Sequence, residues 1–180
     1  RGYHLEYGYS CMGYEIAGGL GVKLAHPDRE VFVMVGDGSY LMLNSEIATS
    51  VAMGTKLVIV LLDNHGFGCI NRLQQACGGA PFNNLLGREA PSPAIDFAAH
   101  ARSLGAAAEQ VKSIGDLEAA LERARAAPRT AVVVIETDPV STTGAGGAWW
   151  DVPVPEVSRR PEVRDARARY DEARRRQRLA

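Results

Sequence analysis

The chain has 180 residues, 46% of them hydrophobic and 23% charged, with a formal net charge of −1. That balance suits one globular domain able to bury roughly 70% of its unfolded surface, and it excludes wholesale disorder. The longest purely aliphatic run, Leu57 to Leu62, is far short of the ~20 residues that cross a bilayer, so no membrane association is expected.

In chain order, residues 12–25 read as a helix of small residues, with Ala17, Gly18, Gly19 and Gly21 permitting close packing and His26-Pro27 ending it. Val31 to Val35 is a continuous apolar run, as expected of a strand buried on both faces. Asn44 to Met53 reads as a helix stopped by Gly54, and Leu57 to Leu62 as a second buried strand. Residues 64–93 form a long stretch containing Gly, Pro and Asn, a length usually kept for function. Residues 94–103 and 114–126 read as amphipathic helices, and Ala131 to Ile135 as a third buried strand. Thr142 to Asp151 is glycine-rich and carries Trp149-Trp150, which either cover a substrate pocket or pack the C-terminal segment. From about Pro161 the tail reads as helical. Residues 159–180 hold nine arginines against four acids, a net of +5 that leaves −6 elsewhere. This pattern fits a solvated, salt-bridged helix; with Tyr170 as its only aromatic it does not suggest nucleic-acid binding. No basic segment followed by an apolar one opens the sequence. Three cysteines (Cys11, Cys69, Cys77) without a C-x-x-C make a disulfide framework or a zinc site unexpected, and a reducing cytoplasm is the expected compartment.

The alternation predicts an α/β fold, a doubly wound and mostly parallel sheet with helices on both faces. Ligands of such sheets sit outside the carboxyl ends of the strands. The first strand is followed by Gly36-Asp37-Gly38-Ser39 and the second by Asp63-Asn64-His65-Gly66-Phe67-Gly68. Asp37 supplies a hard anionic oxygen, Asn64 an amide oxygen, and Gly66 a carbonyl that glycine's freedom allows to turn inward. Three oxygens with an incomplete sphere suit Mg²⁺, which commonly shares its coordination with phosphates and water. Backbone N–H groups at Gly38 and Ser39, with the Ser39 hydroxyl, can hold phosphate oxygens. No P-loop and no G-x-G-x-x-G follows a strand, so the competing nucleotide motifs are missing.

Gly36-Asp37-Gly38, then 25 residues, then Asn64, resembles the cofactor anchor of thiamine-diphosphate enzymes. The resemblance implies that Asp37, Asn64 and the Gly66 carbonyl hold Mg²⁺ under the cofactor's diphosphate. It also implies that Ser10-Cys11-Met12-Gly13 cradles the aminopyrimidine: the Ser10 carbonyl accepts from the amino group, the Met12 N–H donates to the ring, and the Met12 side chain wedges the cofactor into a bent shape. Asp63 stands where the superfamily usually has a first asparagine. Tyr3 to Glu15, Gly36 to Glu46, Leu61 to Gln74 and Gly144 to Ser158 are similar to the 3D-(3,5/4)-trihydroxycyclohexane-1,2-dione hydrolase family of inositol catabolism. That family opens the ring of a cyclic dione by hydrolytic C–C cleavage, yielding 5-deoxy-glucuronate.

The resemblance implies a thiamine-diphosphate pyrophosphate-binding domain over residues 1–140, truncated at its start, and a C-terminal extension over 141–180. It implies a chain about three domains long, working as a homodimer or homotetramer in which the pyrimidine-binding domain of a second subunit supplies the activating glutamate. Residues 1–180 alone are then expected to be inactive. His4, Glu6 and His65 remain unranked acid–base candidates. Two other functions share the anchor: a lyase or synthase of the acetolactate synthase type, and a non-catalytic assembly domain.

Overall fold

The computed structural model describes residues 2–5, 9, 11–86, 94–139, 141 and 152–177. It divides into two compact units, Arg1–Gly66 with Pro93–Asp138, and Phe67–Ser92 with Pro139–Ala180.

The first unit is a four-stranded sheet, β1 (Phe32–Gly36), β2 (Val58–Asp63), β3 (Ala107–Val111) and β4 (Ala131–Glu136), in the order β1-β2-β4-β3 with every pairing parallel. Its helices are α1 (Tyr14–Ala25), α2 (Asp37–Met42), α3 (Glu46–Ala52), α5 (Phe97–Ser103) and α6 (Ile114–Ala126). Strand residues alternate between two cores. Val33, Val35, Ile59, Leu61, Val132 and Val134 meet Ile16 and Leu20 of α1, Tyr40, Ile47, and Phe97, Ala98 and Ala101 of α5. Val58, Val60, Val111, Val133 and Ile135 meet Ala120 and Ala124 of α6 on the other face. The fold is therefore α/β with both faces covered, which explains the uninterrupted aliphatic runs at β2 and β4. Burying each such side chain contributes about 1.5–3 kcal/mol. The exception is β1: Phe32 and Met34 turn to the α6 side and remain 47% and 67% exposed.

Local chemistry sets the ends of the elements. Gly13 has φ 91 and starts α1 two residues later than the sequence pattern suggests. A Cβ at Gly19 would run into the Val33 side chain, so the small residues of α1 do bring it close to β1. Asp96 accepts from the Ala99 N–H and Ser113 from the Asp116 N–H, capping α5 and α6.

Three elements depart from the expectation. Residues 37–42, where the sequence pattern shows no element, form the short helix α2. The sheet has a fourth strand, β3, whose sequence Ala-Ala-Glu-Gln-Val favours helix; β4 pairing overrides that preference at the sheet edge. The long 64–93 stretch contains a helix, α4 (Gly68–Ala76), in the second unit.

That second unit also holds α7 (Pro161–Arg176). Its small core is Val154, Val163 and Ala166, with Cys77 and Tyr170 packed alongside. Arg167 donates to the Val154 carbonyl at 2.9 Å and pairs with Asp171 at 3.0 Å, while Glu172 pairs with Arg175 and Arg176. The arginine-rich tail is thus laced by ion pairs along its own helix. No helix among the described residues is long and apolar enough to cross a membrane.

Candidate functional site

The parallel register ends β1 at Gly36 beside Leu62 of β2, so the residues following each strand emerge together at one edge of the sheet. Asp37 opens α2 there and is fully buried. Its carboxylate accepts the Gly66 N–H at 2.5 Å and the Asn64 N–H at 3.5 Å. These bonds fold the 64–66 turn back over the end of β1. Burial pushes the Asp37 carboxyl above its ordinary value; the Gly66 N–H opposes that shift and the nearby Asp63 charge adds to it.

The turn has unusual backbone. His65 has φ 62 and Gly66 has φ 136, the latter a conformation that only glycine adopts readily. One terminal atom of the Asn64 side-chain amide consequently stands 2.9 Å from the Gly66 carbonyl oxygen and 3.0 Å from Asp37 Oδ1. An oxygen at that position faces two other acceptors and is repelled unless something positive lies between them. Turning the amide over would place its NH₂ against both oxygens. With the oxygen inward, a small cation satisfies all three. Adjacent ligands of an octahedral ion with bonds of about 2.1 Å lie ~3.0 Å apart, which is the spacing from Asn64 to each of the other two. The residues present therefore fit Mg²⁺ by the chemistry and spacing of their donors.

Asp63 is also buried, accepting the His65 N–H at 3.0 Å. His65 Nε2 lies 2.8 Å from Glu136 Oε1, at the end of β4. Ser39 is held differently from a hydroxyl waiting for a phosphate. It donates to Glu15, 2.8 and 2.9 Å from the two carboxylate oxygens, and accepts from the Gly13 N–H at 2.8 Å. The Gly13 N–H also reaches Glu15 Oε2 at 3.1 Å. This knot ties the turn carrying Met12 to the first turn of α2.

The structure thus brings Gly36, Asp37, Gly38, Ser39, Asn64 and Gly66 to one strand-end cluster, with the Met12 turn bonded to it. Met12 is 36% exposed. Ser10, Glu6 and Trp149-Trp150 lie outside the described residues. His4 bonds the Tyr14 hydroxyl at 2.7 Å, at the start of α1. Sequence reasoning overlooked Glu15 and Glu136. Glu15 had a signal, a carboxylate two residues after a glycine turn at a helix start; Glu136 had none, because only the sheet order places β4 beside β2.

A family model described as thiamine pyrophosphate enzyme, C-terminal TPP binding domain, matches residues 1–135. The chain belongs to this family. Among curated relatives, it is 46% identical over 172 residues to the 3D-(3,5/4)-trihydroxycyclohexane-1,2-dione hydrolase of Geobacillus thermodenitrificans (strain NG80-2). That alignment covers 91% of this chain and 27% of the relative. The protein of the same name from Bacillus subtilis (strain 168) is 44% identical over 172 residues, covering 91% of this chain and 26% of the relative. The chain therefore spans about a quarter of the length of the curated relatives it matches. Among solved structures, the thiamine diphosphate-dependent 4-hydroxybenzoylformate decarboxylase of Rhodococcus jostii RHA1 superposes with a TM-score of 0.64 at 24% identity. That match covers 71% of this chain and 23% of the other and bears on the fold alone.

Proposed function

We propose that this chain is the cofactor-anchoring part of a thiamine-diphosphate- and Mg²⁺-dependent enzyme that opens 3D-trihydroxycyclohexane-1,2-dione by hydrolytic C–C cleavage, giving 5-deoxy-glucuronate. The observation that carries the anchor is the convergence of Asp37 Oδ1 and the Gly66 carbonyl on the Asn64 side-chain amide, at 3.0 and 2.9 Å. The substrate assignment draws on the 44–46% identity to hydrolases of that name.

Bound thiamine diphosphate supplies a nucleophilic carbon and an electron sink for the C–C bond that breaks. Asp37 contributes the one anionic ligand to Mg²⁺, with Asn64 and Gly66 completing the protein's share. N–H groups at Gly38 and Ser39 would hold the diphosphate. Ser39, by tying Glu15 and Gly13 together, fixes the turn from which Ser10 and Met12 hold the aminopyrimidine. These residues bind and orient; none moves a proton. Orientation matters because a reacting atom misplaced by about 1 Å costs on the order of 10²-fold in rate.

The domain reading places pyrophosphate binding in residues 1–140 and an extension in 141–180. The reading further places the enzyme in the cytoplasm as a homodimer or homotetramer, with a second subunit's pyrimidine-binding domain completing each site. The test is calorimetric titration of thiamine diphosphate into the intact protein with Mg²⁺, comparing wild type with Asp37→Ala. Magnesium-dependent binding lost in the variant is expected, followed by turnover of the dione and not of pyruvate. Turnover of pyruvate instead would favour an acetolactate synthase type of reaction. Binding indifferent to the metal and to Asp37 would refute the anchor and favour an assembly role.

A further inference from the structure

Between two of the proposed ligands stands a residue that ligates nothing. His65 adopts φ 62, a left-handed conformation uncommon for a residue with a Cβ. Such conformations persist where surrounding contacts impose them, and here two contacts do so. The His65 N–H donates to Asp63 Oδ1 at 3.0 Å. Its Nε2–H donates to Glu136 Oε1 at 2.8 Å, the carboxylate being able only to accept. The register makes this possible, because Asp63 is the cross-strand partner of Glu136. Thr137 then seals the same junction, donating its N–H to the Asp63 carbonyl at 2.8 Å.

We infer that His65 is a positioning residue: its side chain, stapled to Glu136 across the β2–β4 junction, holds the Asn64 and Gly66 oxygens in place for the cation before it arrives. The two peptide planes flanking His65 join it to Asn64 and Gly66, and the second carries the Gly66 N–H that Asp37 accepts. Pinning the side chain and the N–H of His65 therefore fixes the course of the turn from which the Asn64 side chain and the Gly66 carbonyl project. Asp37 anchors the turn from the β1 side through the Gly66 N–H, and Glu136 anchors it from the β4 side through His65. The inference rests on the reading of Asp37, Asn64 and Gly66 as Mg²⁺ ligands.

The test uses the intact protein with thiamine diphosphate and Mn²⁺ as a paramagnetic stand-in for Mg²⁺, bound metal being counted by electron paramagnetic resonance. His65→Ala and Glu136→Ala are each expected to weaken metal binding about 10- to 100-fold, the range for groups that orient ligands. The double variant is expected to be no worse than the weaker single one, because both remove the same staple. Glu136→Gln, which keeps an acceptor on a well-exposed side chain, is expected to restore most of the affinity. His65→Gly separates the backbone from the side chain: it tolerates the turn conformation and lacks the staple, so it too is expected to bind weakly. Wild-type-like affinity in His65→Gly or in Glu136→Ala would overturn the inference, as would additive losses in the double variant. If wild type binds Mn²⁺, Asp37→Asn abolishes binding and His65→Ala changes nothing, this inference fails alone. If wild type takes up no Mn²⁺, it fails together with the reading beneath it.

Discussion

Replacing Asp37 by asparagine should separate what the residue does for the fold from what it does for the cation. The carboxylate is fully buried, and burial is the largest influence on its acidity, so its charge is a cost to the metal-free protein. An amide of the same shape removes that cost. With its oxygen kept toward the Gly66 N–H, its NH₂ takes the Oδ1 position and donates to the Asn64 side-chain amide, 3.0 Å away, when that amide presents its oxygen. The bond given up, from the Asn64 N–H, is a long one at 3.5 Å. One weak hydrogen bond is exchanged for a better one, each on the order of 1 kcal/mol, and a buried charge disappears. The metal-free Asp37→Asn protein should therefore be as stable as wild type or up to about 2 kcal/mol more stable. Metal binding moves the other way. Losing the one anionic ligand should exceed the effect of disturbing an outer-shell group, so a loss of about 100-fold or more is expected. At Mg²⁺ concentrations 100 times the wild-type Kd, the wild type gains about 2.7 kcal/mol from binding and the variant about 0.4. The assay is thermal melting of the intact protein with thiamine diphosphate, with and without Mg²⁺, beside calorimetric titration of the metal. A metal-dependent rise in melting temperature should be present in wild type and nearly absent in Asp37→Asn. A variant that binds Mg²⁺ within threefold of wild type, or whose metal-free form melts well below it, would refute the reasoning.

Gly66→Ala should weaken Mg²⁺ binding at least tenfold, since φ 136 is closed to a side chain and the carbonyl must swing away; an unchanged titration would contradict it. Metal binding should also release protons. The folded, metal-free protein holds a proton on Asp37 above the unfolded value of 3.8. Its stability contribution is present below that value and is lost as pH rises through the folded one. Within that window Mg²⁺ must displace the proton, so affinity should fall with falling pH. Titration in buffers of different ionisation enthalpy should detect the release in wild type and not in Asp37→Asn. Ser39→Ala leaves the Gly13 N–H with Glu15 alone and should weaken thiamine diphosphate binding by roughly 1 to 3 kcal/mol, with little effect on the melting temperature of the metal-free protein. In the second unit, a Cβ at Gly78 (φ 81) would collide with the backbone at Glu162. Gly78→Ala should detach the start of α7, seen as faster proteolysis near Arg159–Arg164.

Much of this architecture is legible in the residues, for physical reasons. β2 and β4 lie between neighbours with cores on both faces, so aliphatic runs mark them without ambiguity. β3 is a five-residue edge strand of helix-favouring residues, and only its pairing with β4 makes it a strand. α4 hides in a stretch whose glycines, prolines and asparagines read as loop. At the cluster, Asp37, Asn64 and Gly66 carry recognisable chemistry at a recognisable interval. Glu136 lies 71 residues from His65, and nothing local connects the two. Asp63 reads as a small departure from an asparagine; its position shows a carboxylate that shapes the turn and raises its neighbour Asp37.

The bare side of β1 bears on handling. Phe32 and Met34 face outward, and among the described residues this strand pairs with β2 alone. An unpaired backbone edge bordered by greasy side chains is a template for adding further chains. Material made from residues 1–180 in isolation should self-associate at rising concentration, and charged replacements at Phe32 and Met34 should restore a monodisperse sample without touching the cation-binding turn.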